Sequence, residues 1–106
     1  MNFRFAANSI RVRISSDELS QLRDGRALSL EVCLTGHHVF KARLSLSTDS
    51  QWHFDSDPTG MWMTVPRTEI EALTASLPSK EGIEHSFETS RNELVVSLEV
   101  DVKRRG

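Results

Sequence analysis

Four basic side chains, Arg11, Arg13, Lys41 and Arg43, and four acidic ones, Glu84, Glu88, Glu99 and Asp101, fall on the polar faces of strand-like segments. Basic groups gathered on one face can hold an anion, and carboxylates nearby can bind Mg²⁺ or serve as acid and base. On that chemistry Arg11, Arg13, Lys41, Arg43, Glu84 and Glu99 are the candidate ligand-binding residues. It requires the side chains to converge in a lumen. If they instead lie on the solvated face of an open sheet, as antiparallel sheets commonly allow, they carry no ligand.

Other reactive residue types give less. His37 and His38 are adjacent near a turn, so on an extended chain their side chains diverge. A metal site would need His53 or His85 to arrive from elsewhere, and no metal or catalytic residue is assigned. His85, between Ile83 and Phe87, reads as a hydrogen-bonded core residue, and Cys33 has no activating partner. The sequence has no Gly-rich phosphate loop, no Ser-His-Asp spacing and no aromatic-basic RNA motif. Trp62 alternates with Met61 and Met63 and so faces outward, where a Trp is a frequent hot spot for binding. It is the candidate interface residue.

Composition narrows the class. The 106 residues suit one domain, and the net charge of -2 lacks the basic excess that phosphate neutralisation requires, so no nucleic acid is expected. Residues 1–50 carry seven Lys or Arg against five Asp or Glu, and residues 51–106 carry six against ten. One cysteine excludes an internal disulfide, and no apolar run is long enough for a bilayer, which together predict a cytoplasmic protein without a membrane partner.

The elements that must position these residues follow from periodicity. Phe3-Arg4-Phe5 and Ile10, Val12 and Ile14 alternate as half-buried strands. Ser15 and Glu18 have capping-box spacing, Leu19 and Leu22 give a narrow helical stripe, and Gly25 suits the end of the helix. Leu28, Leu30, Val32 and Leu34 share one strand face, and Phe40, Ala42, Leu44 and Leu46 share the next. A turn placing Leu34 opposite His38 sets Glu31 opposite Lys41. In the second half Trp52-His53-Phe54 parallels Phe3-Arg4-Phe5, while Met61, Met63 and Val65 precede a helix carrying Ile70, Leu73 and Leu77. Pro66 is placed near the first helical position and Pro78 beyond the end. Ile83, His85 and Phe87 form one further strand face, Leu94 to Val102 another, and Lys103 to Gly106 a frayed tail.

From residue 10 onward the apolar positions recur at an offset of 51, which predicts one domain, 1–106, duplicated as 1–50 and 51–106. The predicted fold is α+β: a strand-strand-helix-strand-strand unit taken twice. It forms a strongly curved antiparallel sheet of about eight strands, or a closed barrel, with two helices outside.

The opening Phe-Arg-Phe-x-x-Asn-Ser-Ile-Arg-Val-Arg-Ile-Ser, with Asp17-Glu18-Leu19 and Leu22 after it, resembles a family of small bacterial proteins catalogued as a domain of unknown function. In architecture the doubled unit also resembles the triphosphate tunnel (CYTH-like) fold, which implies a lumen for polyphosphate and metal ions. At its first tunnel strand that fold has Glu-x-Glu-x-Lys, where this chain has Arg11-Val12-Arg13. Two functions are therefore expected. The first is a cytosolic domain without a cofactor, acting by association with itself or a protein partner. The alternative is an anion- or polyphosphate-binding tunnel, Mg²⁺-dependent if it is a phosphohydrolase.

Overall fold

The computed structural model describes residues 1–78 and 81–101. Eight strands and two helices follow in the order β1 (Asn2–Ala6), β2 (Ser9–Ile14), α1 (Ser16–Arg23), β3 (Leu28–Cys33), β4 (Val39–Leu46), β5 (His53–Asp57), β6 (Gly60–Val65), α2 (Arg67–Ser76), β7 (Ile83–Glu88) and β8 (Glu93–Val100). The α+β composition matches the sequence reading. The single curved sheet does not. The strands form two four-stranded mixed sheets, β1-β2-β8-β7 and β3-β4-β6-β5, and neither closes.

The hairpins β1-β2, β3-β4, β5-β6 and β7-β8 are antiparallel, as their short connections dictate. Between them the central pairs run parallel: Ile10 lies beside Val96, and Ala42 beside Met61. The helices cause this departure. After β2 the chain enters α1 and re-emerges in the second sheet, so the free edge of β2 is taken by β8 rather than β3. Helix α2 returns the chain in the same way. Each sheet is thus built from one hairpin of each half.

One apolar cluster lies between the sheets and joins all four central strands to both helices. Val12, Leu44, Val65 and Leu98 are buried from the strands, and Leu22, Ile70 and Leu73 from the helices. At roughly 1.5–3 kcal/mol for each large apolar side chain removed from water, this cluster is the main favourable term holding the sheets together.

Local detail follows the sequence closely at α1. Ser15 Oγ accepts from the N–H of Glu18, and Glu18 Oε1 accepts from the N–H of Ser15, completing the capping box. Gly25 follows the helix with φ +86°, in the left-handed region. Pro66 is next to the first helical position, as the residue preceding the first turn of α2. The expected continuation of β8 to Val102 and the tail Lys103 to Gly106 lie outside the described residues. Among those described, no helix is long and apolar enough to cross a membrane.

Candidate functional site

The charged candidates divide between the two sheets. Arg11 and Arg13 project from β2 on the outer face of the first sheet, where Arg11 Nη2 donates to both carboxylate oxygens of Glu99 at 3.0 and 3.1 Å. Arg13 Nη2 lies 3.7 Å from the same carboxylate, and Arg4 sits across from Arg11 on β1. Glu84 borders the same shallow depression, opposite Ser97. Lys41 and Arg43 belong to the other sheet, with Lys41 Nζ 3.3 Å from Glu31 and Arg43 between Ser29 and Trp62. The sequence-predicted Glu31-Lys41 register is the one observed. With the sheets open, these two basic groups lie on separate outer faces, and no lumen gathers them.

Trp62 faces outward from β6 between Arg43 and Asp55, with 37% of its surface exposed. Cys33 is exposed, its thiol directed at the carbonyl of Gly36. His38 Nε2 donates to the carbonyl of Pro58, and His53 pairs with Asp49 at 2.9 Å. Among the described residues no three His, Cys, Asp or Glu side chains are grouped to hold a metal. The expectation for His85 needs correcting. It is exposed, and its ring stacks on Trp52 at 5.8 Å and meets Phe87 edge-on at 4.9 Å, because its strand lies at the edge of a sheet.

That stacking belongs to a feature the sequence reading did not find. The two sheets face each other along two seams: β5 and β7 are joined by ring contacts, and β1 and β3 border a common groove. Adding 51 to each residue of the β1-β2 ladder gives the β5-β6 ladder, so Phe3 beside Val12 becomes Phe54 beside Met63. Phe3 therefore corresponds to Phe54, not to Trp52 as the sequence pattern suggested. Trp52 precedes β5 as Met1 precedes β1. Likewise Leu30 and Val32, third and fifth in β3, correspond to His85 and Phe87 in β7.

These correspondences explain why the seams differ. The β5/β7 seam is filled by Trp52, Phe54, His85 and Phe87, with Phe54 and Phe87 ring centroids 6.0 Å apart. At the β1/β3 seam the matching set is Met1, Phe3, Leu30 and Val32, which is smaller at two of the four positions, Met1 for Trp52 and Val32 for Phe87. The shortfall leaves a groove of about 410 Å³, lined chiefly by Phe3, Phe5, Leu30, Val32, Leu34 and Phe40. Among the described residues no charged side chain lines it. Its rim is apolar where the other rim is polar: Phe5, 62% exposed, stands at the position of Ser56, and Leu34, 52% exposed, at that of Thr89.

Such a groove has the size and lining of a binding cleft and is bordered by two sheet edges with unpaired backbone groups. The signal available in the sequence is polarity: the counterparts of Phe5 and Leu34 in the second half are the hydroxyl residues Ser56 and Thr89, and pairing Phe3 with Trp52 hides the first of these correspondences.

No curated protein and no solved structure is significantly similar to this chain. The resemblance first visible over Asn8 to Leu22 extends over nearly the whole length. The chain belongs to a family of unknown function, DUF7009, whose model matches residues 1–103.

Proposed function

We propose that this protein is a cytoplasmic, non-enzymatic association module that binds through the open β1/β3 seam. One observation carries the reading: the large apolar side chains Phe5 and Leu34 are exposed along the groove between β1 and β3, where the corresponding positions at β5 and β7 hold Ser56 and Thr89. Exposed apolar surface rimming a recess costs solubility unless something covers it. Descent of the two halves from one duplicated unit supplies a route, in which one seam was sealed by aromatic residues and the other kept open for a partner.

The test compares the natural chain with Phe5→Ser/Leu34→Thr, which copies the sealed rim. The natural chain is expected either to exceed monomer mass in light scattering or to bind displayed extended peptides whose NMR shifts map to β1 and β3. The double variant should do neither. A natural chain that stays monomeric from micromolar to millimolar concentration and binds no peptide at the seam would overturn the reading.

A second reading draws support from the row of Arg4, Arg11 and Arg13 on the first sheet, of which Arg11 and Arg13 pair with Glu99. Arg11 and Arg13 share the one Glu99 carboxylate and so keep donors for an anion. Millimolar triphosphate, with and without Mg²⁺, should raise the melting temperature if that face binds one, and an unchanged temperature would dispose of it.

A further inference from the structure

We infer that the occupant of the open seam is a second copy of this chain, its β1 pairing with β3 of the first and its β3 with β1. The inference rests on the association reading above and names its partner. Its basis is the alternation of the two edge strands. In β1, Arg4 points outward between the groove-facing Phe3 and Phe5; in β3, Glu31 points outward between the groove-facing Leu30 and Val32. Laying β1 of one copy beside β3 of another with Arg4 opposite Glu31 brings Phe3 and Phe5 against Leu30 and Val32 on the inner face. Charge and apolar pattern agree in that one register, whichever way the strands run.

A twofold axis through the groove makes the second pairing automatically. Each sheet of one copy then continues into the other sheet of its partner, the two grooves merge into one apolar core, and the β1 and β3 edges of both copies are paired while β5 and β7 stay free. Because the interface is the same patch on both copies it closes as a dimer and does not propagate into filaments. The like-with-like alternatives are worse. Pairing β1 with β1 so that Phe3 meets Phe5 opposes Arg4 with Arg4, and pairing β3 with β3 so that Leu30 meets Val32 opposes Glu31 with Glu31. The sealed seam shows the opposite charge arrangement: its edges carry Asp55 and Asp57 on β5 and Glu84 and Glu88 on β7, acid on both, which repels a second copy. Glu31 already lies 3.3 Å from Lys41, but both groups are well exposed and such a surface pair is weak, so it does not compete strongly.

The experiment is a charge swap read by sedimentation equilibrium, with circular dichroism confirming that each variant folds. The natural chain should show twice its chain mass. Arg4→Glu alone places Glu opposite Glu31 at both pairings, and Glu31→Arg alone places Arg opposite Arg4; each should weaken the dimer about tenfold or more. Mixing the two variants restores an opposite-charge pair at both contacts, so a heterodimer should re-form. A dimer indifferent to both substitutions, or single variants whose mixture stays monomeric, would overturn the inference. So would a monomeric natural chain. If that monomer binds displayed peptides at the seam, the association reading survives without the second copy; if it binds none, both fall.

Discussion

Exchanging Val32 and Phe87 between the seams gives a stability test whose two halves differ in sign. Phe87→Val removes roughly four carbon atoms from a half-buried ring, worth about 1.5 kcal/mol at about 0.8 kcal/mol per fully buried methylene. Loss of the contacts with Phe54 and His85 adds about 0.5–1.5 kcal/mol, for a total of about 2–3 kcal/mol. With a urea dependence of about 2 kcal/mol per M, the midpoint should fall by about 1 M or slightly more. Val32→Phe adds the same atoms to a groove of about 410 Å³ that has room for them. Its midpoint should stay level or rise. Both are to be measured by urea unfolding at a protein concentration where the mass is monomeric, so that association does not enter. If Val32→Phe instead costs the about 1–3 kcal/mol typical of overpacking, the seam is not underfilled and the reasoning fails.

Further outcomes follow from the same geometry. Glu18→Gln should cost about 1 kcal/mol or less at pH 7 by removing the charged pairing with the Met1 ammonium while keeping the capping-box bond, measured by denaturation against pH. Burial raises the Glu18 carboxyl, but hydrogen bonds from the Met1 ammonium and the Ser15 N–H outweigh it and hold the folded value below the ordinary 4.5. Folding therefore binds fewer protons there, so the contribution is complete above 4.5 and is lost as pH falls through the lowered value, below which the variant and natural chain should converge. Convergence already at pH 6 would contradict this. Gly60→Ala should destabilise by about 3 kcal/mol or more in thermal unfolding, because the added methyl meets the carbonyl oxygen of Lys41 in the neighbouring strand. A variant as stable as the natural chain would mean that β4 and β6 are not paired in this register.

Much of the local structure was legible because it depends on neighbours in sequence. The Ser15-Glu18 box, the Leu34-His38 turn and the Glu31-Lys41 pairing all concern residues within about a dozen positions of each other. The parallel pairings were not legible. A strand with one buried face alternates with period two whether its neighbour runs parallel or antiparallel, so Ile10, Val12 and Ile14 are equally consistent with β3 or β8 beside them. Two facing sheets and a barrel likewise bury the same residues. The groove is illegible for a related reason: alternation shows that Val32 and Leu34 share a face with Leu28, but not that they are exposed while Leu28 is buried. Arg11 and Arg13 were correctly placed opposite the core, yet their carboxylate partner, Glu99, lies 88 positions away in sequence.

Amide hydrogen exchange of the natural chain across a range of protein concentrations tests the open seam as an association surface most directly. The backbone N–H groups of β1 and β3 that face outward at the sheet edges should exchange more slowly as concentration rises, while those of the other two edges, β5 and β7, should not change. Equal behaviour of all four edges at every concentration would contradict the account.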